Sequence, residues 1–219
     1  MYPEVQTLAQ YEERIGRGMR DALAFVRSID VLNRLTVANL RAVHFHLFKE
    51  VHPWAGEFRP IGLMAAIAGY PAADTSRIAR ELELALHQTR QLMDAASGDK
   101  VQLLAAMSFF HARFERVHPY IDGNGRSGRT VLAIQFERVF GCLPAFADQR
   151  GYREAIRVTA RGDLGPFMRF LGQNAGVALP TGSWPSAYRI APRFLETNES
   201  EPSFEEDFEQ SKIAGRHDS

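Results

Sequence analysis

Twelve consecutive residues carry most of the chemistry this chain offers: His118, Pro119, Tyr120, Ile121, Asp122, Gly123, Asn124, Gly125, Arg126, Ser127, Gly128 and Arg129. Pro119 disfavours helical geometry at the residue before it, so a helix arriving from the N-terminal side must end near Val117 and leave His118 on a loop. Gly123, Asn124 and Gly125 tolerate positive φ, which lets successive backbone N–H groups converge on one point. A helix starting near Arg126 adds free N–H donors and partial positive charge. Arg126 and Arg129, three apart, share a face of its first turn. Two guanidiniums at a helix N-terminus are unfavourable without an anion, so the pattern implies a phosphate-rich ligand. Asp122 adds a hard oxygen ligand suited to Mg²⁺. His118 is a general base at neutral pH. The chemistry implied is transfer of a phosphorus-centred group to a hydroxyl.

The elements that must hold this segment read as helices. Apolar residues recur at helical spacing from Leu8 to Val26 with Thr7 as cap, and from Thr36 through Leu40, Val43, Leu47 and Phe48. Thr75 or Ser76 is the expected cap of a helix through Ile78, Leu82, Leu86 and Leu92. Asp99 is the expected cap of one carrying Val101, Leu104, Met107, Phe110, Phe114 and Val117. A helix to Phe140 is stopped by Gly141, and shorter ones follow at Asp148 to Ala160 and Leu164 to Asn174. Between Trp54 and Pro71 the period fails among Gly56, Pro60, Gly62, Gly69 and Pro71, which predicts loops or a short hairpin. The fold class is therefore all-α with one hairpin.

The twelve-residue segment resembles the Fic family motif, H-x-F-x-[D/E]-G-N-G-R-x-x-R, departing from it at Tyr120, where the family has Phe. Tyr120 keeps the ring and adds a hydroxyl that needs a partner. Trp54-Ala55-Gly56-Glu57-Phe58-Arg59 is similar to the family's upstream W-A-G-x-x-R, and the resemblance covers roughly residues 5–175. It implies AMP transfer from ATP, with Mg²⁺, to a Ser, Thr or Tyr hydroxyl of a target protein. Carried over by position, His118 is the base and Asp122 holds the metal. Gly123, Asn124 and Gly125 form the anion hole, and Arg126 and Arg129 hold the outer phosphates. The family's target-aligning flap falls near Pro60 to Ala72, with Met64 and Ile67 against the target. Many members are held off by a helix with [S/T]-x-x-x-E-[G/N]. Thr197 to Glu201 fits its first five positions, but Pro202 breaks it. The expected inhibitor is thus a separate partner chain, with the acidic tail acting in cis as the weaker option.

The 219 residues divide as a Fic-like domain, 1–195, and an acidic tail, 196–219, expected to be disordered. The tail holds eight of the 26 acidic and two of the 26 basic residues, leaving 24 basic against 18 acidic in the body, a balance that suits an anionic ligand. One cysteine excludes an internal disulfide and fits a reducing compartment. With no signal peptide and no apolar run of about 20 residues, the expected location is cytoplasmic, with delivery into a host cell as a toxin or effector open by analogy. No membrane partner is expected, and nucleic acid is disfavoured because the arginines are dispersed.

Three other readings compete. Gly123 to Gly128 also fits G-x-G-x-x-G, with Asp148 where a ribose-binding acid would sit, but that fingerprint needs a preceding strand and the residues before it have helical spacing. A nucleotide-binding module without catalysis is opposed by intact His118 and Asp122. The same site could also transfer another nucleotide- or phosphate-containing group. His44 and His46 are two apart on a helix and cannot share a metal, and His52, His87 and His111 read as packing or surface residues. Cys142 reads as a structural thiol among apolar neighbours, and Trp54 as packing for the flap region. Trp184 has no clear role. Arg59 reads either as structural or as approaching the nucleotide.

Overall fold

The computed structural model describes residues 2, 7–67, 70–146, 148–159 and 164–174. Seven helices and one hairpin lie among them, in the order α1 (Leu8–Ser28), α2 (Val37–Phe48), β1 (Ala66–Ile67), β2 (Tyr70–Pro71), α3 (Ile78–Ala96), α4 (Lys100–Val117), α5 (Asn124–Phe140), α6 (Gln149–Thr159) and α7 (Gly165–Asn174). The all-α class with one short hairpin is as expected. The tail, Trp184 and the Thr197 to Glu201 stretch lie outside the described residues.

Local chemistry sets most boundaries. Thr7 and Thr36 each close a capping box, with Gln10 and Asn39 as the reciprocal partners. Asp99 accepts from the N–H groups of Val101 and Gln102 at the start of α4. Gly141 ends α5 with φ +77°. The expected cap of α3 is different. Its N-cap is Arg77, without a side-chain cap. The Thr75 hydroxyl instead accepts from Gly62 N–H at 3.0 Å, and Ser76 is engaged by Asp74, so both candidates are used in the turn that anchors the hairpin.

The core forms two adjoining clusters. α1, α2, α3, α4 and α5 enclose Val43, Leu47, Phe48, Leu82, Phe110, Phe114 and Tyr120. The second cluster joins α3, α4 and α5 to α6 and α7 through Leu104, Phe109, Leu132, Phe136, Tyr152 and Phe167. α4 contributes to both, with Phe109 on one side and Phe110 and Phe114 on the other, so it runs through the middle of the molecule. The segment leaving its C-terminal end is consequently held by both halves of the core. Cys142 departs from expectation: it is exposed, because α5 stops at Gly141 and the chain turns outward.

Candidate active site

α4 ends where Pro119 requires. His118 is its C-cap, in the left-handed region at φ 50° and ψ 59°, and its N–H still reaches Phe114 O at 3.0 Å. This conformation is uncommon for a residue with a Cβ. It turns the chain away from the helix and brings His118 Nδ1 to 3.3 Å from the Glu115 carbonyl oxygen. A carbonyl only accepts, so Nδ1 carries the proton and Nε2 bears the lone pair. Burial lowers the imidazole pKa, with the nearby Arg59 guanidinium adding to the effect, and this outweighs the Glu115 hydrogen bond and Asp122. His118 is therefore a neutral ring with a free basic nitrogen.

Arg59 fixes this turn. It is 4% exposed, and its guanidinium donates to His118 O at 2.6 Å, to Ala73 O at 2.8 Å, to Val117 O at 3.4 Å and to Leu63 O. Its own N–H reaches Pro119 O at 2.8 Å. The carbonyls of Val117 and His118 are among those a helix leaves without partners at its C-terminus. Leu63 and Ala73 bracket the hairpin. One side chain thus ties the base of the hairpin to the end of α4, which decides the Arg59 question in favour of a structural role.

The loop beyond is closed from inside. Tyr120 N–H donates to Asn124 Oδ1 at 2.8 Å, and Asn124 Nδ2 returns a bond to Tyr120 O at 2.9 Å. The Asn124 side chain is spent on this closure, so what it offers an anion is its backbone N–H. Gly123, the N-cap of α5, has φ +81°, and a Cβ there would meet the Phe48 ring at 2.2 Å. No side chain caps α5, and its first internal bond is Ser127 N–H to Gly123 O at 2.9 Å. The N–H groups of Asn124, Gly125 and Arg126 are thereby presented at its positive end.

His44, which spacing had excluded only from sharing a metal with His46, lies against the motif loop. Gly56 N–H donates to its Nδ1 at 2.8 Å, and Nε2 lies 3.0 Å from Asp122 O, so Nε2 is protonated and the ring neutral. Burial pushes its pKa down to about 4. The ring stacks on Tyr120 at 3.8 Å and lies 5.7 Å from Trp54, so it joins the Trp54 to Gly56 stretch to the motif loop. Its spacing from Leu40, Leu47 and Phe48 on α2 is the signal that it faces inward. Tyr120 itself is fully buried, and its hydroxyl has no hydrogen-bond partner among the described residues.

Asp122 keeps its carboxylate half in solvent, 3.8 Å from Arg126. The described residues contain no group of three or more His, Cys, Asp or Glu able to cage a metal. One carboxylate beside an anion-binding helix end fits Mg²⁺, which is commonly held by one or two carboxylates together with substrate phosphates and water. Arg126 also donates to Tyr11 Oη at 2.7 Å, and Arg129 lies over the Tyr152 ring. Met64 is 75% exposed and Ile67 lies in β1, both in the region expected for the flap. The element immediately before Gly123 is helix α4 rather than a strand, and Asp148 accepts from Gly151 N–H at 2.8 Å at the head of α6, so the dinucleotide-binding reading is disfavoured.

A neutral histidine on a left-handed turn, followed six residues later by an uncapped helix N-terminus with two arginines, marks a candidate anion-binding site on a helical bundle. The chain belongs to the Fic/DOC family: that family model matches residues 34–136. A probable protein adenylyltransferase of Sinorhizobium fredii is 30% identical over 139 residues, which cover 60% of this chain and 69% of that protein. The protein adenylyltransferase Fic of Nematostella vectensis is 24% identical over 162 residues, 71% of this chain, which spans only 36% of that relative's length. The fold is shared with the crystal structure of BepC, a VirB-translocated effector of Bartonella tribocorum with bound AMPPNP, at TM-score 0.58 and 18% identity over 81% of this chain and 90% of that one.

Proposed function

We propose that this chain is a protein adenylyltransferase, moving AMP from Mg·ATP to a Ser, Thr or Tyr hydroxyl of a target protein. The observation that carries the reading is the protonation of His118: Nδ1 is held by the Glu115 carbonyl and Nε2 is left basic, directly before the uncapped N-terminus of α5. In the reaction the target hydroxyl oxygen attacks the α-phosphorus as its proton passes to His118 Nε2. The bond from the α-phosphorus to the bridging oxygen breaks, and pyrophosphate leaves with that electron pair. The N–H groups of Asn124, Gly125 and Arg126 stabilise the charge gathering on phosphoryl oxygens, while Arg126 and Arg129 hold the outer phosphates. Asp122 would hold Mg²⁺, which would neutralise phosphate charge.

The names of the relatives and the AMPPNP bound to the Bartonella protein support an adenine nucleotide over other donors. Backbone amides and guanidiniums read phosphates rather than bases, so transfer of another nucleotide-borne group is the second reading. The hairpin region, with Met64 exposed just before it and Ile67 in β1, is the surface assigned to the target segment. An inhibitor is expected as a separate chain. The effector title of the Bartonella protein supports, by analogy, a role as a toxin or effector.

ATP labelled at the α- or the γ-phosphate, mixed with the protein, Mg²⁺ and a cell lysate, tests this. A target band from α-label alone, lowered about 10²–10⁴-fold in His118→Ala, is the expected result. A γ-only band would replace AMP transfer with phosphoryl transfer. Label surviving unchanged in His118→Ala would remove His118 from the base role.

A further inference from the structure

Arg126 sits on the first turn of α5 and Arg129 on the second, close to the end whose partial positive charge disfavours cations. Their seats are largely aromatic, with the Asp122 carboxylate 3.8 Å from Arg126 as well. The Arg126 guanidinium carbon is 5.6 Å from the Tyr11 ring centroid and 5.1 Å from that of Phe48, and Nη1 donates to Tyr11 Oη at 2.7 Å. The Arg129 guanidinium carbon is 5.0 Å from the Tyr152 ring centroid. Tyr152 is 5% exposed and is itself fixed, with its hydroxyl 2.8 Å from His111 Nε2 and its ring edge-on to Phe167. Tyr11 comes from α1 and Tyr152 from α6, and both lie outside the segment matched by the family model.

An aromatic seat differs from a carboxylate partner in what it leaves free. A carboxylate occupies the N–H fork of a guanidinium, the same fork that would grip a phosphate. A ring face attracts the cation through its quadrupole and leaves the in-plane donors available. It also restricts in advance a side chain that otherwise loses rotamer entropy on being fixed. Glu115, buried against the same region, is pushed up to about 7 by desolvation, with the Arg129 charge pulling the other way.

We infer that Tyr11 and Tyr152 are positioning residues: they hold the Arg126 and Arg129 forks in place for the outer phosphates of a nucleotide, so that the helices flanking the family core set the affinity for those phosphates. This rests on the nucleotide reading proposed above.

Equilibrium titration of the full chain with ATP and with AMP, which needs no turnover, tests both. The wild type is expected to bind ATP more tightly than AMP. Tyr152→Leu should weaken ATP about five- to tenfold and leave AMP within about twofold, while Tyr152→Phe, which keeps the ring, stays near wild type. Tyr11→Leu, at a half-buried position that carries less of the core, should lower ATP affinity in the same selective way. Arg129→Ala combined with Tyr152→Leu should bind ATP no more weakly than Arg129→Ala alone, because the tyrosine acts through the arginine. Equal weakening of ATP and AMP, or additive loss in the double variant, would make Tyr152 a core residue and overturn the inference while leaving the nucleotide reading intact. A wild type without preference for ATP over AMP would overturn that reading, and this inference with it.

Discussion

At the scale of single residues, the site depends on groups whose charge state is set by burial. Glu115 is 4% exposed, and desolvation pushes its carboxyl up from 4.5 to about 7. Between those values the folded chain holds a proton that the unfolded chain has released, so this group's contribution to stability falls as pH rises through the window. His44 and His111 act in the opposite sense. Burial lowers them to about 4 and about 3 from 6.5, so the unfolded chain binds protons there that the folded chain does not, and stability rises with pH up to about 6.5. Glu115→Gln removes the falling contribution alone. Its melting temperature relative to wild type should climb steadily from pH 5 to pH 8. A difference that stays constant over that range would show that Glu115 titrates normally. Arg59 sets a second expectation. Arg59→Met leaves the carbonyls of Leu63, Ala73, Val117 and His118 without their donor. Denaturant unfolding should report a loss of about 3 kcal/mol or more, since buried groups left unmade cost about 1–3 kcal/mol each. A loss below about 1 kcal/mol would mean that water replaces the guanidinium.

At the scale of elements, the decisive feature is the junction between α4 and α5. α4 delivers His118 in a left-handed cap, and six residues later α5 begins at Asn124, with Gly123 as an N-cap that offers no side chain. The junction is short because the Asn124 side chain closes it onto the Tyr120 backbone. Gly123→Ala probes it. The new Cβ faces an unfavourable φ, about 1–2 kcal/mol, and an unrelieved clash with Phe48, about 1–3 kcal/mol. The variant should unfold earlier and lose nucleotide binding. Adding Phe48→Leu relieves only the clash, so stability should recover in part. Full recovery would show that the backbone conformation carries no cost. The hairpin is the opposite kind of element: β1 and β2 pair over two residues each, which gives little stability of its own. Its placement comes from Arg59 and from the Thr75 bond to Gly62.

At the scale of the whole molecule, the helices outside the family core complete the site. α1 brings Tyr11 to Arg126, and α6 brings Tyr152 to Arg129. With the described bundle carrying every proposed site residue, deletion of residues 196–219 should leave AMP transfer unchanged, as expected of an inhibitor that is a separate chain. An increase in labelling of targets on deletion would assign inhibition to the acidic tail instead.

The sequence by itself determined what is local. The Pro119 constraint, the run of Gly and Asn, the two arginines at helical spacing, and the Thr7, Thr36 and Asp99 caps are all decided by residues within a turn or two of one another, and such interactions follow from backbone sterics and short-range hydrogen bonding. The helical class and the glycine-rich turn into α5 were legible for that reason. Only the tertiary structure decided the partners of that segment. Arg59 meets His118, His44 meets Tyr120 and the Asp122 carbonyl, Tyr11 meets Arg126, and Tyr152 meets Arg129 and His111. Each of these contacts, except the shorter reach from Arg129 to Tyr152, spans 41 residues or more of chain. They exist because two core clusters pack on the two sides of α4. The residue types permit such contacts, but only burial of those apolar faces selects which distant side chains meet.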